Sequence, residues 1–144
     1  MNENLPLEKE IGGILASFPA FPDNVKEILV KIAPYLCIVG AIFGVLGLLA
    51  VVGLGGVASG IGIAAYGGSG VLFYISMAVL AVMVFLEATA IKPLMNREKK
   101  GWTNMYYIEL LSLISNLLSF SIIGFVISFV IGFWILFQIK DRYH

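Results

Sequence analysis

Residues 33–54 read APYLCIVGAIFGVLGLLAVVGL, an apolar stretch without a single acidic or basic side chain. About twenty such residues are what a helix needs to cross the ~30 Å hydrocarbon core of a bilayer. Residues 71–91, VLFYISMAVLAVMVFLEATAI, supply a second stretch of that length, with Glu87 as its one charge. Around these segments no Asp, Glu, Lys or Arg occurs from Pro34 to Leu86, and none again from Leu110 to Ile139. An ionised side chain at a helix centre costs roughly 2.5–3.5 kcal/mol on insertion scales. The charge-free runs are therefore the spanning segments, and the charged islands are their ends.

The composition agrees. Of 144 residues, 60% are hydrophobic and 12% charged, whereas soluble domains carry about 25% charged residues. One cysteine excludes an internal disulfide framework, and with one histidine, the last residue, it excludes Cys/His metal clusters. Histidine acid/base chemistry has nothing to recruit, Cys37 lies among apolar neighbours, and no GxxxxGK[ST] phosphate loop is present. A formal net charge of zero argues against nucleic-acid binding. The expectation is a non-enzymatic chain with no cofactor and no metal, whose first partners are membrane lipids.

Between the first two spans lies GGVASGIGIAAYGGSG, residues 55–70, whose glycines favour an outer loop; a short re-entrant piece packed on the helices is the alternative. After the second span, residues 104–138 are too long for one helix and short for two. Ser115, Asn116, Ser119, Ser121 and Gly124 place a turn near Phe120–Ser121 and give helices of about 15–18 residues, or ~22–27 Å. The fold expected is thus an all-α membrane protein with four transmembrane helices, near 34–54, 71–91, 104–119 and 122–139. The last two form a short hairpin, and residues 140–144 form a tail.

Residues 1–33 read as an arm plus a helix. Pro6, Pro19 and Pro22 break regular structure, and the first thirty residues lack the basic start and apolar core of a cleavable signal. After Pro22, Val25, Ile28, Leu29 and Ile32 share one helical face, and Asn24 and Glu27 have capping-box spacing. This predicts an amphipathic helix in the interface, bent into the first span at Pro34; a kinked continuation of that span is the alternative. All nine Lys and Arg residues fall on one side of a four-span layout. The positive-inside bias makes that side cytoplasmic, with both termini there, in a bacterial inner membrane. Trp102, Tyr106, Tyr107 and Trp134, with Lys99 and Lys100, are expected to anchor the inner interface.

An ionisable residue inside a span is a functional hypothesis by default. Glu87 lies near the cytoplasmic end of the second span. Glu109 lies at similar depth in the third, where Ser112, Asn116 and Ser119 continue a polar line at spacings of three and four. Such a line must turn from lipid, either to bond across helices or to border an aqueous path. Gly40 and Gly44 form a GxxxG in the first span, and Gly124, Ser128 and Gly132 repeat every fourth residue in the last. Small-residue stripes let helices approach closely; one would serve within the bundle and the other between protomers.

The sequences KIAPYL at 31–36, KKGW at 99–102 and GFWILFQIKDRY at 132–143 resemble those of a group of uncharacterised small bacterial four-helix membrane proteins. The resemblance covers most of the chain and implies architecture, not activity. The small multidrug transporters share four short helices but carry a carboxylate in the first, which this chain lacks. The expected function is a structural or accessory subunit that self-associates or joins a larger membrane complex. The alternative is a small transporter or channel for protons, cations or small solutes using Glu87, Glu109 and Asn116.

Overall fold

A computed structural model describes residues 5–54 and 56–144. The described residues form helices and turns, with no strand among them. In chain order the helices are α1 (Glu8–Leu15), α2 (Asp23–Gly53), α3 (Gly56–Ala65), α4 (Gly70–Met95), α5 (Lys99–Leu118), α6 (Ile122–Ile127) and α7 (Phe133–Gln138). A π turn at Ser128–Gly132 joins α6 to α7, so that one helical rod runs from Ile122 to Gln138; a 3₁₀ turn, Lys140–Arg142, follows.

Three helical segments are long and apolar enough to cross a membrane: Asp23–Gly53, Gly70–Met95 and Ile122–Arg142. The expected count was four. The shortfall is α5, which has the length, 20 residues, but carries Lys99, Lys100, Asn104, Glu109, Ser112, Ser115 and Asn116. It is also longer than expected, because it starts back in the basic KKGW segment; at 1.5 Å per residue it reaches ~30 Å. Its polar side chains leave it dependent on neighbours, and it packs along α4 on one side and the α6–α7 rod on the other. The turn after it falls where the serines and Asn116 placed it, at Ser119–Ser121, with Phe120 at φ 54° and the Ser121 hydroxyl accepting from the Gly124 N–H at 3.2 Å.

Two expectations about the first half of the chain are corrected. Residues 23–33 are not a separate interfacial helix: α2 runs unbroken through Pro34, and the continued-helix alternative is the one observed. An internal proline opposes a helix by ~3 kcal/mol. Here Val30, Ala33, Pro34 and Cys37 are all buried, and burial of this stripe offsets that penalty. The 31 residues rise ~46 Å, more than the ~30 Å of a bilayer core. No capping box forms either. The N-cap is Pro22, and Glu27 instead pairs with Arg97 in the α4–α5 turn. The second correction concerns residues 56–65, which are helical rather than loop; Gly55 lies outside the described residues. Gly67 and Gly68 then make the reversal into α4 at φ 64° and 82°, a region that favours glycine.

The amphipathic helix of the arm is α1. Ile11 and Leu15 are buried while Lys9, Glu10 and Gly13 face outward. It lies against α7, and polar ties hold the arm there. The Tyr106 hydroxyl donates to the Pro6 carbonyl at 2.6 Å, and the Phe21 N–H donates to Gln138 Oε1 at 3.0 Å. Ion pairs join Glu8 to Lys140 and Asp23 to Arg142, and Lys26 lies 3.6 Å from Asp141. The arm, the α4–α5 turn and the tail are thereby gathered at one charged end of the bundle. The main core sits just inside that end and includes Val30, Leu94, Trp102, Tyr106, Phe133 and Leu136. Toward the other end, Ile42, Phe43, Val52, Phe85, Ile122 and Ile123 expose apolar side chains, the surface a bilayer would cover.

Candidate functional site

Glu87 sits eight residues before the end of α4 and Glu109 ten residues into α5, so at 1.5 Å per residue they lie ~12 and ~15 Å from the charged end. Both line one groove of about 170 Å³, walled by Ala33, Leu36 and Cys37 of α2 and by Met105 and Ile108 of α5. Among the described residues neither carboxylate has an ion-pair partner.

Each carboxylate lies over a glycine on a neighbouring helix. A Cβ added to Gly40 would overlap the carboxylate of Glu87, whose Cδ is 2.9 Å away; one added to Gly132 would lie 2.8 Å from Cδ of Glu109. One turn on from Gly40, Gly44 receives Val84 of α4. At the far end of the polar line, Gly124 receives Asn116, with Ser121 Oγ at 2.7 Å from the missing Cβ. Both small-residue stripes are thus filled from within the protomer. Neither is an open face for a second copy, which corrects the division expected from sequence.

At its Glu109 end the line of polar residues on α5 joins the last helical rod through hydroxyls. The hydroxyls of Ser112 and Ser128 are 2.9 Å apart, and Ser128 donates to Glu109 Oε2 at 3.4 Å. Asn116 donates to the Ser112 carbonyl at 2.9 Å, and Ser119 to the Ser115 carbonyl at 3.0 Å. These last two bonds close back on α5's own carbonyls, so the side-chain chain runs from Glu109 through Ser128 to Ser112. Ser128 and Gly132, the two α6–α7 residues against Glu109, are the first and last of the π turn. Such wide turns are rare and gather at functional sites. The arrangement can do two things chemically: bind a proton or small cation at an unpaired carboxylate, and share hydrogen bonds from Glu109 with the Ser128 and Ser112 hydroxyls.

The expected interface anchors divide. Trp102 and Tyr106 are 1% and 0% exposed, so they are core rather than lipid-facing. Their rings stack at 5.6 Å, and the Trp102 indole N–H donates to the Leu136 carbonyl at 2.8 Å, satisfying one of the free carbonyls at the end of α7. Lys140 lies 5.2 Å over the Trp102 ring. Trp134 packs on Phe18 and Phe21 of the arm, at 5.7 and 4.7 Å between ring centroids. Tyr107, Lys99 and Lys100 are exposed. Sequence reasoning missed the docked arm, although Ile11, Ile14 and Leu15 stand at the i, i+3, i+4 spacing of a helical face. It also missed Tyr143, which is buried beside Cys37; burial and that neighbour push its phenol up to about 12, against the pull of Arg97. No protein family, no functionally described protein and no solved structure matches the chain.

Proposed function

We propose that the chain is a small, non-enzymatic, multi-pass protein of a bacterial inner membrane that binds and moves protons or small cations. In this reading it has four crossings, α5 being carried across by its neighbours, and both termini are cytoplasmic. The observation that supports it is the shared groove: two unpaired carboxylates from different helices border one space, and the Ser128 and Ser112 hydroxyls lead away from Glu109. A purely structural bundle gains little from such groups, since interhelical hydrogen bonds in membranes average ~0.6 kcal/mol. The test is flux into liposomes containing the purified protein, alone and as Glu87→Gln and Glu109→Gln variants. Proton or cation uptake by the native protein that falls in both variants is the expected result. No uptake by the native protein refutes transport.

A second reading, the accessory subunit, has one observation in its favour. Leu36 on the rim of the groove is 62% exposed, and a neighbouring helix seated there would cover the carboxylates. Crosslinking in native membranes from a cysteine placed at Leu36 tests it: a specific partner or a second copy supports the subunit reading, and a monomer refutes it.

A further inference from the structure

A second cavity, of about 300 Å³, lies between the docked arm and α7. That volume is at the lower end of the range for ligand pockets and equals the liquid volume of about ten waters. Leu15, Phe18, Trp134 and Phe137 give it apolar walls, while Lys26, Gln138 and Asp141 give it a polar side. It has no part in the carboxylate groove.

Its hydrogen-bonding groups are biased toward donors. Gln138 is oriented by the Phe21 N–H, which takes its Oε1 at 3.0 Å; its Nε2 is left with a long contact of 3.4 Å to the Pro19 carbonyl. The Lys26 ammonium, on a side chain 16% exposed, has a loose partner in Asp141 at 3.6 Å. Asp141 also lines the cavity, but its side chain is 60% exposed and also faces Arg142 Nε at 3.9 Å. Two donors, one of them cationic, beside aromatic walls match an acceptor-headed, apolar-tailed molecule. The cavity stands at the charged end of a candidate membrane span, where the headgroups of such molecules would lie.

We infer that this cavity binds a single-chain amphiphile with an anionic oxygen headgroup. The headgroup meets Lys26 and Gln138 Nε2, and the start of the chain lies against Phe18, Trp134 and Phe137. A fatty-acid carboxylate and an alkyl phosphate share this chemistry.

Calorimetric titration of the full-length protein in zwitterionic nanodiscs tests it, with octanoate, octyl phosphate, octanol and octylammonium as probes. Saturable binding of octanoate or octyl phosphate, and not of the other two, is expected; which of the two anions binds more tightly identifies the headgroup. Loss of a charged hydrogen bond in Lys26→Gln should weaken binding ~10-fold or more, whereas Asp141→Asn should strengthen it. Ala16→Leu, at the cavity wall, should block the site while leaving Lys26 in place, and it keeps the test valid if Lys26→Gln unfolds. Equal binding of octanol and the anions overturns the inference. So does anion binding that survives both Lys26→Gln and Ala16→Leu.

Discussion

Gly101 lets α5 lie close against the backbone of α4, and replacing it with alanine should weaken the bundle measurably. The added Cβ would lie 2.7 Å from the backbone nitrogen of Leu94 and 2.9 Å from its Cγ and Cδ2. A side chain could swing aside, but a backbone nitrogen in a helix cannot. Restoring van der Waals contact therefore requires α5 to move off α4 by roughly 0.7 Å. Forced overpacking of this kind costs about 1–3 kcal/mol. The neighbouring Trp102 moves with the helix and strains its 2.8 Å bond to the Leu136 carbonyl, adding about 1 kcal/mol. Alanine returns at most about 1 kcal/mol through its better helix propensity. The net expectation is a loss of about 1–3 kcal/mol. Unfolding by chemical denaturant in mild detergent, followed by helical circular dichroism, reads this directly. Gly13→Ala is the control: it also lies in a helix, but its Cβ would meet nothing within 4 Å, so it should raise stability by ~0.5–1 kcal/mol. If Gly101→Ala is as stable as the native chain while Gly13→Ala behaves as expected, the close approach of α4 and α5 is wrong.

Other outcomes are expected at the site and the arm. Gly132→Ala and Gly40→Ala press on the mobile ends of Glu109 and Glu87 rather than on backbone, so they should alter carboxylate-dependent flux far more than stability, which the same two assays compare. Burial alone would raise the Glu8 carboxyl, but the hydrogen bonds from Lys140 and the Leu5 N–H, with the charges of Lys140 and Lys99, hold it below its ordinary 4.5. Its share of arm docking is therefore complete above pH ~4.5 and lost as pH falls below that value. Trp134 fluorescence should report the arm loosening there in the native chain, and Glu8→Gln should abolish that dependence. The Tyr143 phenol, pushed up to about 12, should remain un-ionised in an ultraviolet titration at pH 10–11, where exposed tyrosines have titrated. Early ionisation would mean that the tail is not buried.

The helices with the least chemistry were the easiest to read. An unbroken apolar run permits one interpretation, so α4 and the Phe120 turn fall close to where hydrophobic length and the serine cluster put them. Proline misled at residue 34, because its local penalty is outweighed by burial against α4, which involves residues sixty positions away. Glycine misled at 56–65 for the complementary reason: Gly62 avoids overlap with the Phe73 ring, so its small size serves packing rather than a turn. At the site, the spacing of Glu109, Ser112 and Asn116 was visible, but its pairing with Gly132, Ser128 and Gly124 was not. Periodicity gives the face of a helix and not the face it meets. The aromatic belt rule failed at Trp102 and Tyr106 because the arm and tail cover that end of the bundle, and nothing local to either residue encodes that cover.

The docked arm also sets an order of events. Its ties reach across 100 residues from Tyr106 to Pro6, 117 from Phe21 to Gln138 and 132 from Lys140 to Glu8. A chain is made from its N-terminus, so residues 5–22 emerge long before the hairpin they cover has formed. Until then Ile11 and Leu15 have nowhere to pack. The segment must wait unpaired, available to chaperones or to proteases, and it closes over the bundle as the last step of assembly. Nicking within residues 16–22 should therefore serve as a gauge of damage to the helical hairpin that the arm covers.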